Sequence, residues 1–258
     1  MKKHEFGQRQ PPLAVYLKRI LDRYPDGQIL KELLQNAEDA SASELRLILD
    51  LRQFGTDTIV DPRLKVCQGP ALLAYNDAVF TENDWHGIQH TEQSVKLEDA
   101  AKIGRFGIGF NAVYHVTDFP WIMSTNRIAV FDPRETGIFR TSDTGHPLSG
   151  YRWEFDDEDD INLMQTALSD QFQPFKFDHF TPGVDRHFNG TLFRFPLRQE
   201  LDGLADKHFS LSSETYTAKE VKELFARFRS DADRMLLFLS SVRTISLTEL
   251  SDQVRSSL

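Results

Sequence analysis

The sequence predicts an α+β fold, a two-layer α/β sandwich in which helices cover one face of a mixed, mostly antiparallel sheet. Segments with helical spacing stand near the N-terminus and again after residue 217, whereas short apolar or alternating segments typical of strands occupy most of the middle. Strict alternation of strand and helix is missing, so a doubly wound parallel sheet is not expected. The 20 phenylalanines among 258 residues are enough for a substantial core.

The elements of the first half are predicted from their apolar spacing and from the residues that end them. In chain order they are a helix over 13–21, a helix over 28–40, a strand over 43–51, a turn and loop over 54–69, a strand over 70–77 and a helix from 81. Pro25 ends the first helix because proline cannot continue one. Thr81 is the expected N-cap of the last helix, with Asp84 in its first turn.

The second half is predicted to be rich in strands until a long C-terminal helix begins. In chain order the elements are an apolar helix after 110, strands over 120–125, 127–133 and 151–155, a solvated loop or helix start at 156–160, a strand over 190–197, a long helix or helix pair over 217–242 and a strand over 243–250. Thr217 and Glu220 have the spacing of a capping box. We expect one domain over 1–258, whose C-terminal helix and strand span about 214–250.

Composition excludes several classes of function. The net charge of −9 argues against nonspecific binding to nucleic acid or to an anionic membrane. No apolar run approaches the roughly 20 residues that span a bilayer, and the N-terminus lacks the apolar segment of a signal peptide. Cys67 is the only cysteine, which precludes an internal disulfide and favours a reducing compartment such as the cytoplasm.

Three polar residues share one face of the second predicted helix. Glu32, Asn36 and Asp39 stand at i, i+4 and i+7, which places them on the same side. One interpretation is a solvated polar stripe. The other is the wall of a cavity, in which a carboxylate can orient or deprotonate a water and an amide oxygen can ligate Mg²⁺.

Residues 104–110, "GRFGIGF", contain three glycines directly before an apolar segment. They match neither the dinucleotide-binding fingerprint nor the P-loop. A tight turn, close packing of a helix on a strand, and a phosphate-binding loop at a helix N-terminus all remain open.

The two segments together resemble the ATP-binding fold shared by gyrase, the ninety-kilodalton heat-shock chaperone, histidine kinases and mismatch-repair ATPases (the GHKL superfamily). In "ELLQNAEDA" (32–40), the resemblance implies Glu32 as general base and Asn36 as the Mg²⁺ ligand of a bound ATP. "IGRFGIGF" (103–110) resembles the motif whose backbone wraps the phosphates. The implied nucleotide-binding residues of this loop are Gly104, Gly107, Ile108, Gly109 and Phe110.

Two further parts of the resemblance concern the lid and the adenine. The polar stretch that begins at residue 89 has no clear period, and it stands where the superfamily has a mobile lid, so the implied lid spans about 89–103. In "NGTLFRF", Gly190 and Thr191 match a Gly-Thr pair on a strand that hydrogen-bonds near the adenine.

Four segments narrow the resemblance to the chaperone-like module at the start of sacsin repeats. They are "FGQRQPPL", "RYPDGQILKELLQNAEDA", "NDAVFTENDWHGI" and "GRFGIGFNAVYHVTD", and the resemblance covers most of residues 6 to about 200. It implies a module of a very large cytoplasmic protein linked to chaperone activity. The implied partners are protein clients or co-chaperones, and intermediate filaments through the full-length protein.

The sequence departs from the superfamily in "NDAVF" (76–80). Asn76, Ala78 and Phe80 replace the Asp, Gly and Gly that face the adenine, which argues against tight ATP binding. Asn76 still carries an amide oxygen that can accept from the adenine, whereas Phe80 either folds into the core or enters the adenine pocket.

Two functions therefore remain. The first is ATP binding with Mg²⁺ by a chaperone-type module. Because the resemblance implies that full hydrolysis needs an arginine from a following domain, we expect ATP hydrolysis to be weak or absent in the isolated domain. The second is a degenerate, nucleotide-free module that serves as a protein-interaction scaffold.

Overall fold

Seven strands between Glu44 and Leu250 form one mixed sheet in the computed structural model, which describes residues 12–23, 25–89, 109–199, 211–212 and 214–251. The strands are β1 (Glu44–Asp50), β2 (Ala71–Asn76), β3 (Trp121–Thr125), β4 (Arg127–Phe131), β5 (Gly150–Glu154), β6 (Phe188–Pro196) and β7 (Thr244–Leu250). Their order across the sheet is β5-β4-β3-β6-β2-β1-β7. Five of the six ladders are antiparallel and β1–β7 is parallel, which confirms the predicted mixed, mostly antiparallel sheet.

Helices are present in the three segments for which apolar spacing predicts them, 13–21, 28–40 and 217–242, and three shorter helices lie elsewhere. The α-helices are α1 (Leu13–Leu21), α2 (Ile29–Asp39), α3 (Glu82–Gly87), α4 (Glu158–Gln165), α5 (Ser169–Phe172) and α6 (Ala218–Leu236). Helix α6 is one continuous helix, and both hydrogen bonds of the predicted Thr217–Glu220 capping box are present. Thr81 caps α3 in the same way with Asp84. Among the described residues, no helix is both long and apolar enough to cross a bilayer.

One face of the sheet packs against α1, α2 and α6, which confirms the predicted α+β fold with a layer of helices on this face. Leu33 and Leu34 of α2 are buried in the same apolar cluster as Leu72 of β2 and Phe193 of β6. Since successive side chains of a strand point to opposite faces, Leu73 points away from this cluster.

The opposite face is buried as well. Leu73 joins a second apolar cluster that is rich in aromatic rings, in which Trp121 lies 5.2 Å from Phe175 and is stacked on Trp153 at 5.9 Å between ring centroids. The chain between the strands supplies this cover, including α4, α5 and 3-10 helices at Pro62–Gln68 and Gln173–Phe175. Both faces of β2 are therefore dry, and all six of its residues are buried.

Two local expectations differ from the structure. The segment after the glycines forms a 3-10 helix, Phe110–His115, and the predicted loop over 54–69 contains the 3-10 helix Pro62–Gln68. A proline at the first position suits this second helix, because proline has no N–H to leave unpaired. The predicted lid beyond Gln89 lies outside the described residues.

Candidate functional site

Helix α2 carries two of the predicted site residues on its inner side. Asn36 is buried, with 6% of its surface exposed, and Glu32 is half-buried. Asp39, which shares their face by spacing, is exposed and accepts a hydrogen bond from Gln35 Nε2 at 2.7 Å. A wholly solvated polar stripe is therefore excluded, because the middle residue of the three is enclosed by protein.

Asn36 lines a small cleft together with residues from β2 and β6. The lining residues are Asn36, Ala40, Asn76, Ala78, Val79, Phe80, Thr191 and Phe193. The sheet explains part of this convergence, since Asn76 and Thr191 are directly opposed in the β2–β6 ladder. Three residues that the sequence assigned to one site, Asn36, Asn76 and Thr191, thus meet in one cleft. Its volume is about 10 Å³, which is room for about one water molecule.

The polar atoms of the cleft are partly engaged within the protein. Asn76 Oδ1 accepts a hydrogen bond from the Ala78 N–H at 3.1 Å, and Thr191 Oγ1 donates to the Ala78 carbonyl at 2.8 Å. The amide oxygen expected to face an adenine therefore holds the loop after β2. By contrast, Asn36 Nδ2 is buried without a hydrogen-bond partner in the described part of the chain. An unpaired buried donor is costly, so the Asn36 amide is a group that a ligand or water can satisfy.

Phe80 limits the volume of this cleft. Its ring is 7% exposed, lies 5.1 Å from the Trp85 ring and 6.0 Å from the Phe193 ring, and packs edge-on to both. The sequence left open whether Phe80 folds into the core or enters the pocket. Both are true, because the ring belongs to the helix-side core and also lines the cleft.

Ser124 is a residue of this region that the sequence analysis missed. It is fully buried on β3, where its hydroxyl accepts from the Phe80 N–H at 2.9 Å and donates to the Gly190 carbonyl at 2.7 Å. Ser124 therefore ties the backbone of Phe80 to β6. The available signal was a hydroxyl residue at an inward position of an otherwise apolar strand.

Gly109 brings the glycine loop against α2. Its φ of −60° is an ordinary helical value, so this glycine is not required by backbone conformation. A Cβ added at Gly109 would lie 1.8 Å from Glu32 Oε2, so the contact requires the absence of a side chain. The acidic side of α2 and the end of the glycine loop therefore face each other. Gly104, Gly107 and Ile108 lie outside the described residues.

Phe110 anchors the chain directly after this contact. Its buried ring lies 5.8 Å from Phe193 and 6.5 Å from Phe195, within the helix-side core. The phosphate contact predicted for Phe110 concerns its backbone N–H and stays a prediction.

Position 190 requires glycine because of its backbone conformation, which is not the case at Gly109. Its φ is +135°, a region that residues with a side chain rarely adopt. An added Cβ would also lie 2.5 Å from Tyr75 Cε2 and 2.8 Å from the Asn76 carbonyl oxygen. The glycine of the predicted Gly-Thr pair therefore lets β6 approach β2 beside the cleft.

Asp77, the acidic neighbour of Asn76, is committed to the sheet. Its carboxylate accepts from the Ser43 N–H, the Ser43 hydroxyl and the Glu44 N–H at the start of β1. Burial acts to raise the pKa of Asp77, but these hydrogen bonds outweigh it and the pKa is lowered. Asp77 is therefore ionised at neutral pH, and its carboxylate joins the end of β2 to the start of β1.

Arg198 fixes the 3-10 helix that follows the glycine loop. It donates to the carbonyls of Tyr114 at 2.6 Å and His115 at 2.8 Å, and it pairs with Asp118 at 2.9 Å. Because its side chain is almost fully buried, Arg198 holds the end of this helix against the chain after β6. The sequence analysis did not single it out.

Among the described residues, the cleft offers an amide oxygen that could hold Mg²⁺ but little room for a purine. The described residues include no group of three His, Cys, Asp or Glu side chains that could hold a metal. Mg²⁺ would therefore rely on the Asn36 amide oxygen together with water and phosphate oxygens, which is its usual arrangement in phosphate sites. At the Asn76 end, a cavity of about 10 Å³ is too small for a purine unless lining side chains such as Phe80 move.

Comparison with known proteins places the chain in a family. A model of the sacsin domain matches residues 10–257. Human sacsin is 48% identical over 247 residues, which cover 94% of this chain and 5% of that protein. The chain thus spans about one-twentieth of the length of this relative. With both the family model and a relative of this identity covering nearly the whole chain, the protein belongs to the sacsin-domain family.

Proposed function

We propose that this chain is a chaperone-type module of a large sacsin-related protein and that it binds Mg²⁺-bound ATP between α2, β2 and β6. The observation that carries the proposal is the convergence of Asn36, Asn76 and Thr191 on one cleft, with the buried amide nitrogen of Asn36 left unpaired among the described residues. The contact of Glu32 with Gly109 supports the proposal, because it brings the end of the glycine loop, which is proposed to bind the phosphates, next to α2.

Each residue has a distinct part in this proposal. The Asn36 amide oxygen holds Mg²⁺, and the main-chain N–H groups of residues 107–110 donate to phosphate oxygens. Glu32 orients or deprotonates a water beside Gly109. Bound ATP supplies the phosphoanhydride bond on which such a water could act.

The expected affinity for ATP is weak. Replacing a charged acceptor by the neutral Asn76 amide costs about 1 kcal/mol, because charge-assisted hydrogen bonds are roughly twice as strong as neutral ones. Displacing the packed ring of Phe80 costs roughly 1–3 kcal/mol more. Together these terms would weaken a micromolar site at least thirty-fold, towards the millimolar range.

The experiment is a titration of the protein with Mg²⁺-bound ATP to several millimolar, followed by the side-chain amide resonances of Asn36 and Asn76 in NMR spectra. We expect both amides to shift along one binding curve. Asn36→Ala should abolish the Mg²⁺ dependence of binding, whereas Glu32→Ala should leave binding intact and stop any turnover. Asn162→Ala, on the exposed side of α4, is the control. Unchanged Asn36 and Asn76 resonances at the highest concentration would remove the ATP proposal.

A second function is favoured by the position of Phe80. A ring that fills the adenine end and leaves about 10 Å³ is what a nucleotide-free interaction module would have. In that case, opening the cleft by Phe80→Gly would not produce nucleotide binding, and the module would hold protein clients or co-chaperones without ATP. Suppression of aggregation of an unfolded client, measured with and without Mg²⁺-bound ATP, separates the two functions.

The cellular setting belongs to the same proposal. The single cysteine is free and buried, which suits a reducing compartment such as the cytoplasm. Action on intermediate filaments is proposed only for the full-length protein that contains the module. The test is whether Asn36→Ala, introduced into that full-length protein, changes filament organisation in cells.

A further inference from the structure

The end of α6 exposes two large apolar side chains. Leu237 is 80% exposed and Phe238 is 84% exposed, more than any other large apolar side chain in the described part of the chain. They stand at i+3 and i+4 from Arg234, and the helical dihedral angles continue through Leu237, so the three side chains share one face. Large apolar side chains exposed side by side are typical of an interaction surface.

This surface is basic, although the protein as a whole is acidic. Arg234 lies one helical turn before Phe238, and Arg243 follows it by five residues. Both arginines are exposed, and neither forms an ion pair with another residue of the described ranges. We call Arg234, Leu237, Phe238 and Arg243 the α6 patch. Since the net charge of the chain is −9, a second copy offers this patch more acidic than basic surface.

A complementary surface lies on α4. The first turn of this helix is acidic, and Asp159, which forms no ion pair with a described residue, is followed at i+4 by the exposed Leu163. Val184 is 69% exposed and follows a turn that packs on α4, since an added Cβ at Gly183 would lie 3.0 Å from Met164 Cβ. We call Asp159, Leu163 and Val184 the α4 patch. It combines apolar side chains with a carboxylate, as the α6 patch combines them with guanidinium groups.

The two patches lie on opposite faces and near opposite edges of the sheet. Helix α6 packs on the helix-side cluster and is joined to the edge strand β7 by the Lys222–Glu249 ion pair at 2.9 Å. Helix α4 packs on the aromatic cluster and is joined to β5, the other edge strand, where Asp160 accepts from the Glu154 N–H at 2.8 Å. One molecule therefore cannot bring its own two patches together.

We infer that the α6 patch docks onto the α4 patch of a second copy of this chain. The apolar side chains of the two patches meet, and Arg234 pairs with Asp159. Because the two surfaces differ, the contact is heterologous, and each added copy leaves one patch of each kind free. The association is therefore open-ended rather than closed at a dimer. Both patches are small, so the interface belongs to the weak class of low buried area.

The test is analytical ultracentrifugation without nucleotide, from about 10 μM to about 1 mM protein, where the weight-average mass should rise with concentration. Phe238→Asp and Leu163→Arg each place a repelling charge in one patch, and each should weaken association by about ten-fold or more. Both positions are exposed, so circular dichroism and the melting temperature should stay unchanged. Val15→Asp, at an exposed position of α1, is the control and should associate like the unmodified protein.

An equimolar mixture of the two variants separates this contact from other modes of association. Phe238→Asp keeps the α4 patch and Leu163→Arg keeps the α6 patch, so the mixture should form a dimer through one intact contact and no larger species. Association of Leu163→Arg by itself would show that α6 patches pair with each other and would overturn the inference. A mixture that associates no more than either variant alone would overturn it too.

Two results with the unmodified protein have the same force. A mass that stays that of a monomer at about 1 mM would assign the α6 patch to an occupant other than a second copy. Association that neither Phe238→Asp nor Leu163→Arg weakens would place the contact between copies outside both patches.

Discussion

Glu32 and Gly109 form the contact on which the catalytic half of the proposed site depends. The carboxylate occupies the space that a side chain at position 109 would need, because an added Cβ would lie 1.8 Å from Oε2 and 2.2 Å from Cδ. The backbone at Gly109 is helical, so alanine is compatible with its φ and ψ. A single methyl group can therefore displace Glu32 without straining the loop.

Gly109→Ala is predicted to move Glu32 while the fold is kept. The clash falls on the far end of a flexible side chain, so the change in the free energy of unfolding should stay within about 1 kcal/mol. Any release of phosphate from ATP should fall, whereas nucleotide affinity changes little. Gly27→Ala is the matched control, because its added Cβ makes an ordinary contact at 3.8 Å. Loss of folding in Gly109→Ala would contradict this account of the contact.

Phe80 has opposite effects on stability and on access to the cleft. Phe80→Gly is predicted to destabilise the domain by at least about 3–5 kcal/mol, as expected for removal of a buried aromatic ring, and to tighten nucleotide binding. Thermal unfolding and NMR titration measure the two effects. Phe180→Ala removes a similarly buried ring on the other face of the sheet and should destabilise without changing affinity. Unchanged affinity in folded Phe80→Gly would show that the ring is not the obstacle.

At the scale of elements, the helix that carries Glu32 and Asn36 is tied to the connection between α6 and β7. Glu38, near the end of α2, accepts hydrogen bonds from the N–H groups of Ser240 at 2.7 Å, Ser241 at 3.0 Å and Val242 at 2.9 Å. Three successive backbone donors converge on one carboxylate. Glu38 thus holds the chain that leads into β7 against the end of α2.

This contact predicts a defined pH dependence. The N–H of Val242, then those of Ser240 and Ser241, lower the pKa of Glu38 from its ordinary value of 4.5. A carboxyl group whose pKa is lower in the folded state stabilises the fold above its unfolded pKa, and this contribution is lost as the pH falls through the folded value. Glu38→Gln should therefore have a lower melting temperature at neutral pH, and the difference should shrink below pH 4.5.

The control for Glu38→Gln is Glu223→Gln on α6. Glu223 is exposed and its Lys219 partner is 3.9 Å away, so this exposed pair should contribute little to stability. A melting-temperature difference for Glu38→Gln that is the same at every pH would show that the charge of Glu38 is not what holds the contact.

Elements with strong local signals could be predicted from the sequence, and elements that depend on tertiary contacts could not. The caps at Thr81 and Thr217 are local hydrogen-bonding patterns, and both are present. Helix α5 has four residues, too few for a periodic pattern to identify it. The segment Phe110–His115 forms a 3-10 helix, but its apolar pattern suits an α-helix equally well and could not distinguish the two.

The same distinction applies to the candidate site. Helix periodicity placed Glu32 and Asn36 on one face of α2, but the roles of these two residues and of Gly109 came from the resemblance to the GHKL superfamily. The role of Ser124 and the engagement of the Asn76 oxygen depend on how β2, β3 and β6 pair, which the sequence does not display. The resemblance to the GHKL superfamily named Asn36, Asn76 and Thr191, which line the cleft, but the small volume of the cleft follows from packing, including that of Phe80.

At the scale of the whole molecule, two apolar clusters share one sheet. Leu34 lies in the cluster beneath the helices, and Cys67 lies in the aromatic cluster on the opposite face. Alternate residues of β2 contribute to both, as Leu72 and Leu73 show. A strand cannot leave one cluster without leaving the other, so we expect both faces to unfold together as one domain.

Cys67 allows this expectation to be tested from the face opposite to the mutation. Burial raises the pKa of its thiol to about 12, so a native molecule presents almost no thiolate to a labelling reagent. Leu34→Ala is predicted to destabilise the domain by about 2–5 kcal/mol. If both faces open in one step, labelling of Cys67 in native buffer should accelerate by about thirty-fold or more, in parallel with the loss of stability. Leu163→Ala, at an exposed position of α4, should change neither quantity. A Cys67 labelling rate that stays the same in Leu34→Ala would mean that the two faces open independently and that the single-domain prediction is wrong.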